Sequence, residues 1–348
     1  MATHQAALLT AVGSPLTVQS RPTPTPGPKE IVIAAHSVAL NPVDYVQRDM
    51  GMFIENVPAV LGSDLAGTIA AVGPDVTQPW AKPGARVLAF ATAFYARGAP
   101  DFGAFQERVR VPAVFVTPLP DGLGFREAAM MPMAVGTTWA GFHTVGHPRA
   151  GTLAAEPGKP PAMLVWGASS SVGSGGVQVA RLLGYTVYAT AGAANLDYVK
   201  NVLGAARVFD HRSPSVVDDI VAAVQEDGVS MQTAYIGAGD LAACAAVMAR
   251  VKPADVEKAM IASAPLVPPG FEAPAGVEAR FVMAPTELEA RHEFSAFTFN
   301  QWLKEKLEKG EFVPSPGMTF VEGGLGAVNG ALDQLKAGVS GTKIVLDI

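Results

Sequence analysis

Cysteine is nearly missing from this 348-residue chain: Cys244 is the single one, set in an Ala-rich helical stretch. One thiol excludes an internal disulfide and any thiolate metal cluster, and its setting reads as a small buried hydrophobe. Charge is scarce too, with 16 % charged residues, a net charge of −6 and no basic run. Nucleic acid and anionic membrane are therefore excluded as partners. No stretch approaches the about 18 consecutive apolar residues that a membrane span requires. The start, Met-Ala-Thr-His-Gln, lacks the basic segment and long apolar core of a secretion signal. A cytoplasmic protein is expected. What is plentiful is apolar residues (49 %), 36 glycines and 28 prolines. That balance describes an α/β protein punctuated by loops, long enough for two domains.

The first part of the chain reads as β-rich, with strands expected at 6–11, 31–40, 66–72, 86–90, 105–111 and 114–119. Turn clusters separate them, among them the proline-rich segment 22–28, taken as an intradomain loop because a strand follows at once. From Met163 the rhythm changes. Strands at 163–166, 186–190, 207–210 and 233–236 alternate with helices at 172–183, 196–203, 216–225 and 241–251, and two further strands follow at 258–263 and 278–283. Repeated strand–helix units imply a parallel sheet covered on both faces, with right-handed crossovers. A helix over 287–308, a Pro/Gly stretch, a helix over 327–336 and a strand over 343–348 complete the chain. This tail is expected to pack on the β-rich part.

The most informative stretch is Trp166-Gly-Ala-Ser-Ser-Ser-Val-Gly173. An apolar strand ends in a turn of small residues and passes into helical spacing, which lays a pyrophosphate on a helix N-terminus. Gly167, Ser170, Ser171, Val172 and Gly173 are the candidate contacts. Dinucleotide sites that prefer NAD place an acid about 20 residues after such a turn, on the ribose 2′-OH. Here that strand runs on through Ala191 and Gly192 to Asn195, and the first acid is Asp197, already in the next helix. The missing carboxylate favours NADPH. Asn195, Tyr198 and Lys200 can supply donors to the 2′-phosphate, although Lys200 also reads as a solvated helix lysine. Gly237 ends the fourth strand, where function and plain turn-making predict the same residue.

Ordered motifs add to this. They are Leu40-Asn-Pro-Val-Asp44; Pro58-Ala-Val-Leu-Gly-Ser-Asp64; Pro83-Gly84 with Arg86; Gly103-Ala-Phe-Gln-Glu107; Gly136-Thr-Thr138; the glycine turn; and Val339-Ser-Gly-Thr-Lys343. Together they resemble the medium-chain dehydrogenase/reductase superfamily over nearly the whole chain. The stretches 166–173, 203–211 and 321–325 resemble its zinc-free fungal branch, which includes trans-acting enoyl reductases. The resemblance implies a GroES-like β-rich catalytic domain (1–135 and 290–348) and a doubly wound parallel, or Rossmann, domain (136–289). The substrate site is expected in the cleft between them.

Zinc-dependent members ligate the metal through a Cys near the first motif and a His-Glu pair in the second. Here those positions are Asn41 and Ser63-Asp64, too few converging ligands for zinc. The resemblance also places Thr138 near the nicotinamide, where an isolated Thr would otherwise read as a helix-start cap. It puts His211 beside the adenine, and Phe281 and Val282 complete the cofactor-binding set. For catalysis the candidates are Asn41, Asp44, Tyr45 and Asp64. Two proton donors used by relatives are missing: no Tyr occurs in Met50-Gly-Met-Phe53, and the position of a catalytic Lys is Gln47. Tyr45 is the remaining phenol, and water is an equal proton source. Asp44 and Asp64 read as loop-holding carboxylates at least as readily as catalytic ones.

The expected function is NADPH-dependent, zinc-independent hydride transfer to an activated C=C or a quinone. The alternatives are a ketone or aldehyde reductase of secondary metabolism, or a non-catalytic NADPH-binding partner protein. The substrate is a small molecule or a carrier-tethered acyl group, and a homodimer is left open.

Overall fold

The computed structural model describes residues 2–348. The chain divides into two compact units, Met1–Gly136 with His292–Ile348, and Thr137–Arg291.

The first part of the chain supplies β1 (Thr3–Leu9), β2 (Thr17–Pro22), β3 (Glu30–Ala39), α1 (Pro42–Met50), β4 (Ala59–Val60), β5 (Asp64–Val72), β6 (Arg86–Phe90), β7 (Arg108–Pro112), β8 (Val116–Pro118), α2 (Phe125–Ala129) and α3 (Pro132–Thr144). β3 is the spine of the larger sheet, antiparallel to both β5 and β7. Ile31, Ile33, Leu65, Val87, Val109 and Val111 are sealed beneath it. β2, β4, α2 and α3 were not foreseen, and neither was the helix α1. The helix is polar and short, so its apolar spacing carries no signal; it is set by its start, where Pro42 occupies the first position and Asp44 accepts the Asn41 N–H. β2 is an exposed edge strand without alternation.

The second unit carries β9 (Pro161–Trp166), α4 (Ser171–Leu183), β10 (Thr186–Ala191), α5 (Leu196–Asn201), β11 (Arg207–Asp210), α6 (Val216–Asp227), β12 (Ser230–Ile236), α7 (Leu241–Val251), β13 (Ala259–Ser263) and β14 (Val277–Phe281). Its strands are all parallel, in the order β11-β10-β9-β12-β13-β14. Renumbered within the unit this is 3-2-1-4-5-6, the doubly wound dinucleotide-binding order. Leu164, Trp166, Ile220, Met231, Ile236, Val247 and Ile261 form its core. Cys244 lies in that core as expected, and burial pushes its thiol well above the ordinary range.

The tail contributes α8 (Leu288–Ser295), α9 (Lys304–Glu308), β15 (Gly317–Val321), α10 (Val328–Ala337) and β16 (Thr342–Asp347). β16 pairs with β3 antiparallel, which puts the end of the chain into the first unit's sheet. The single helix expected over 287–308 is instead interrupted by a π-helical stretch, Ala296–Leu303. There the Thr117 hydroxyl donates to the Phe299 carbonyl at 2.7 Å, a side chain inserted on the helix backbone as at other irregular helical turns. β15 occupies part of the segment expected to be an irregular Pro/Gly stretch.

Candidate active site

In the second unit the glycine turn is built by mutual close approach of backbones. Gly167 has φ +72°, and a Cβ there would lie 2.3 Å from the Ala238 carbonyl. A Cβ on Gly173 would lie 2.2 Å from the Gly167 carbonyl, and one on Gly237 would lie 2.6 Å from the Gly173 nitrogen. The three glycines therefore interlock where β9 and β12 end side by side, at the point where the strand order reverses. Ser170 caps α4: its hydroxyl accepts the Gly173 N–H at 3.1 Å and donates to the Gly167 carbonyl at 2.8 Å. Ser171 and Val172 form the helix's first turn, whose outward N–H groups suit an anion. Thr190, which sequence reasoning did not single out, holds the turn by accepting the Gly167 N–H at 3.0 Å.

Thr138 does not start a helix. It lies inside α3, fully buried, and its hydroxyl donates to the Val172 carbonyl at 3.3 Å, so it joins the glycine turn. Val282 is buried against the same helix near Gly141, while Phe281 ends the edge strand β14. Across the sheet, Ala191, Gly192 and His211 meet: the His211 N–H donates to the Ala191 carbonyl at 3.2 Å. A Cβ on Gly192 would find only the His211 ring, at 3.6 Å. β10 itself ends without a carboxylate, and Asp210, at the end of β11, is the register partner of Ala191, its carboxylate accepting the Arg212 N–H at 3.0 Å. Asn195 folds back on Gly192, Tyr198 is half-buried, and Lys200 is exposed on α5. These residues stand at the strand ends where a doubly wound sheet receives a dinucleotide.

The first unit contains a different construction. Asn41 precedes α1, Asp64 opens β5, and Lys343 lies in β16, with relative exposures of 4 %, 0 % and 3 %. The Lys343 ammonium is 2.7 Å from Asp64 Oδ2 and donates to Asn41 Oδ1 at 2.8 Å. Asn41 Nδ2 donates to Asp64 Oδ2 at 2.9 Å, and the Met133 N–H to Asp64 Oδ1 at 2.6 Å. Both carboxylate oxygens are thus occupied. Lys343 was quoted only as part of a terminal motif; its position beside Asp64 depends on β16 pairing, which no local pattern reveals.

Asp44 joins through its Oδ2, which accepts the Asn41 N–H at 2.7 Å, while its buried Oδ1 has no protein partner. Burial pushes its carboxyl up to about 8, aided by the charge of Asp64 and opposed by the Asn41 N–H and Lys343. It is therefore a neutral acid at pH 7. The folded protein holds this proton where the unfolded chain, with an Asp near 3.8, does not. Stability is then expected to fall as pH rises from about 4 to about 8, by about 1.4 kcal/mol per pH unit at most. Asp44→Asn should flatten that slope, measured as denaturation midpoints across the range; an unchanged slope would reject Asp44 as its source.

The structure brings Asn41, Asp44 and Asp64 together but leaves Tyr45 outside, half-buried and without a hydrogen bond to the network. Gln47, one turn beyond Asp44, is fully buried with neither amide atom partnered by protein. Phe94 joins an aromatic cluster in which the Phe90 ring lies 6.0–6.2 Å from Phe94, Tyr95, Phe115 and Phe299. Phe90 is the cross-strand neighbour of Asp64, so aromatic surface begins beside the polar network. A surface hollow of about 400 Å³ at His36, Phe125 and Arg126 is separate, and its Arg126 is already paired with Asp347.

A doubly wound sheet with an interlocked glycine turn, carried with a β-rich unit that contains a buried polar network, defines a two-unit nicotinamide-dependent oxidoreductase. The comparisons agree. Residues 27–121 match the family described as alcohol dehydrogenase GroES-like domain. The chain is 45 % identical to Trans-enoyl reductase tndF of Aspergillus flavipes, over 99 % of this chain and 98 % of the relative. It is 35 % identical to Dehydrogenase orsE of Emericella nidulans, over all of both chains. An alcohol dehydrogenase superfamily protein from Novosphingobium aromaticivorans shares the fold with a TM-score of 0.79 at 21 % identity, over 99 % of each chain. A quinone oxidoreductase from Pseudomonas syringae pv. Tomato does so with a TM-score of 0.71 at 21 % identity, over 99 % of this chain and all of the other. The chain belongs to the medium-chain dehydrogenase/reductase superfamily, in its zinc-free branch.

Proposed function

We propose that the protein reduces an activated C=C of an enoyl or enone substrate, using NADPH and no zinc. The observation that carries this reading is the Lys343–Asp64–Asn41 network. A metal at Asp64 would have to compete with an ammonium, an amide and a backbone N–H that already hold both carboxylate oxygens. The names of the trans-enoyl reductase relatives favour an enoyl group over a quinone.

A reduced nicotinamide dinucleotide, held by the Gly167–Gly173 turn, would supply the hydride. Its arrival at the β-carbon moves the C=C electrons onto the carbonyl oxygen, so the site must offer a donor to that oxygen. Asn41 is that donor. Its Nδ2 carries two hydrogens; one goes to Asp64, and the second meets no protein acceptor among the described residues. A proton must then reach the α-carbon, and solvent supplies it, because Tyr45 stands outside the network and Asp44 is sealed.

The reading is tested by following NADPH consumption with and without chelator, against enones, enoyl thioesters, quinones and aldehydes. Chelator-resistant turnover of the conjugated acceptors is expected. Turnover abolished by chelator, or confined to simple carbonyls, would reopen the reaction class. Cofactor choice has its own test. The Cβ of Gly192→Asp would meet only the His211 ring, at 3.6 Å, and the variant restores the acid at the end of β10, so the NADPH-to-NADH affinity ratio should fall by about tenfold or more. An unchanged ratio would place 2′-phosphate recognition elsewhere.

A further inference from the structure

We infer that Lys343 is a positioning residue for the reduction, acting through the Asn41 amide. The inference rests on the proposed C=C reduction and names a residue that the reaction requires beyond the donor itself.

An asparagine amide can be turned over at almost no cost unless its neighbours distinguish oxygen from nitrogen. Here they do. Lys343 has only donors, and it faces Oδ1 at 2.8 Å. Ionised Asp64 has only acceptors, and it faces Nδ2 at 2.9 Å. The amide has one orientation as long as both charges are present, and in that orientation the second Nδ2 hydrogen is left for the substrate oxygen. Lys343 does a second thing. A cation on the amide oxygen withdraws electron density from the nitrogen, which strengthens the remaining N–H as a donor where charge develops. The ammonium is 3 % exposed, so water does not screen this polarisation. The residue comes from the final strand and is brought to Asn41, 302 positions earlier, by β16 lying against β3. Its neighbours in β16, Ile344, Val345 and Leu346, are buried apolar residues, so the charge serves Asp64 and Asn41 rather than the packing of the strand.

The test compares wild type, Lys343→Met, Asn41→Ala and the double variant as NADPH-loaded enzymes on an enone or enoyl thioester. Lys343→Met should lower kcat by about 10- to 100-fold, less than or equal to the loss of a whole donor. Substrate KM and NADPH affinity should stay within about threefold, because binding of the ground state does not use the polarised N–H. In the Asn41→Ala background the same lysine substitution should lower kcat no further. If Lys343→Met is not recovered folded, Lys343→Gln takes its place with the same two comparisons. A folded variant with unchanged kcat overturns the inference. So does a loss seen only in KM or NADPH affinity, or one that persists in full without Asn41. A wild type active on no conjugated acceptor overturns the proposed function, and this inference with it; an active wild type with an indifferent lysine overturns the inference alone.

Discussion

Asp64→Asn is expected to destabilise the protein by about 3–5 kcal/mol, because it strands a buried ammonium without its counter-charge. The amide cannot repair the loss. Lys343, the Asn41 amide nitrogen and the Met133 N–H all present donors to position 64, and an amide brings a second set of donors with only one oxygen. Lys343→Met is expected to cost a similar amount by leaving Asp64 as the unpaired charge. The double variant removes both charges, so its cost should fall short of the sum by about 2 kcal/mol or more. Chemical denaturation of the four proteins measures this. Additive losses would mean that the two groups are not coupled and that their 2.7 Å approach contributes nothing to the native state. Exposed pairs such as Lys258–Glu278 give no such expectation, since water already screens them.

Gly173→Ala is the second large effect, on cofactor binding. Helix propensity alone favours alanine by about 1 kcal/mol at a position inside α4. The close approach opposes it. A methyl group would sit 2.2 Å from the Gly167 carbonyl and 2.8 Å from the Ser170 hydroxyl that caps the helix. One contact is with backbone, so no side-chain rotation relieves it, and overpacking of this kind costs about 1–3 kcal/mol. The turn must open, and the N–H groups that face the pyrophosphate move with it. NADPH affinity should fall by about 100-fold, equivalent to ~3 kcal/mol, read by quenching or energy transfer on titration. Wild-type affinity in this variant would show that the glycine turn is only a tight connection.

The two parts of the chain differed in how far they could be read from sequence. Strand–helix alternation after Met163 is local: each apolar run is short, each helix has its own period, and Arg207–Asp210 and Leu241–Val251 fall where the pattern puts them. The glycine turn is local as well, because the residues that must be small lie within a few positions of one another. α1 was not legible, since its polar residues face inward around a network that the spacing does not announce. The π-helical stretch was not legible either, because the hydroxyl inserted on it is that of Thr117, distant in sequence.

By itself, then, the sequence determined the unit types, the dinucleotide turn, the missing carboxylate after β10 and the loss of zinc-type ligands. All of these depend on residues close together in the chain, or on residue types that are absent. The tertiary structure alone decided which side chains share the polar network. It drew Asn41 from a helix start, Asp64 from one strand and Lys343 from the last, and it left Tyr45 outside. It also made Asp44 a neutral acid, since a carboxyl shifts only when the folded chain removes its water. Charge pairing and desolvation act through space, and no spacing along the chain records them.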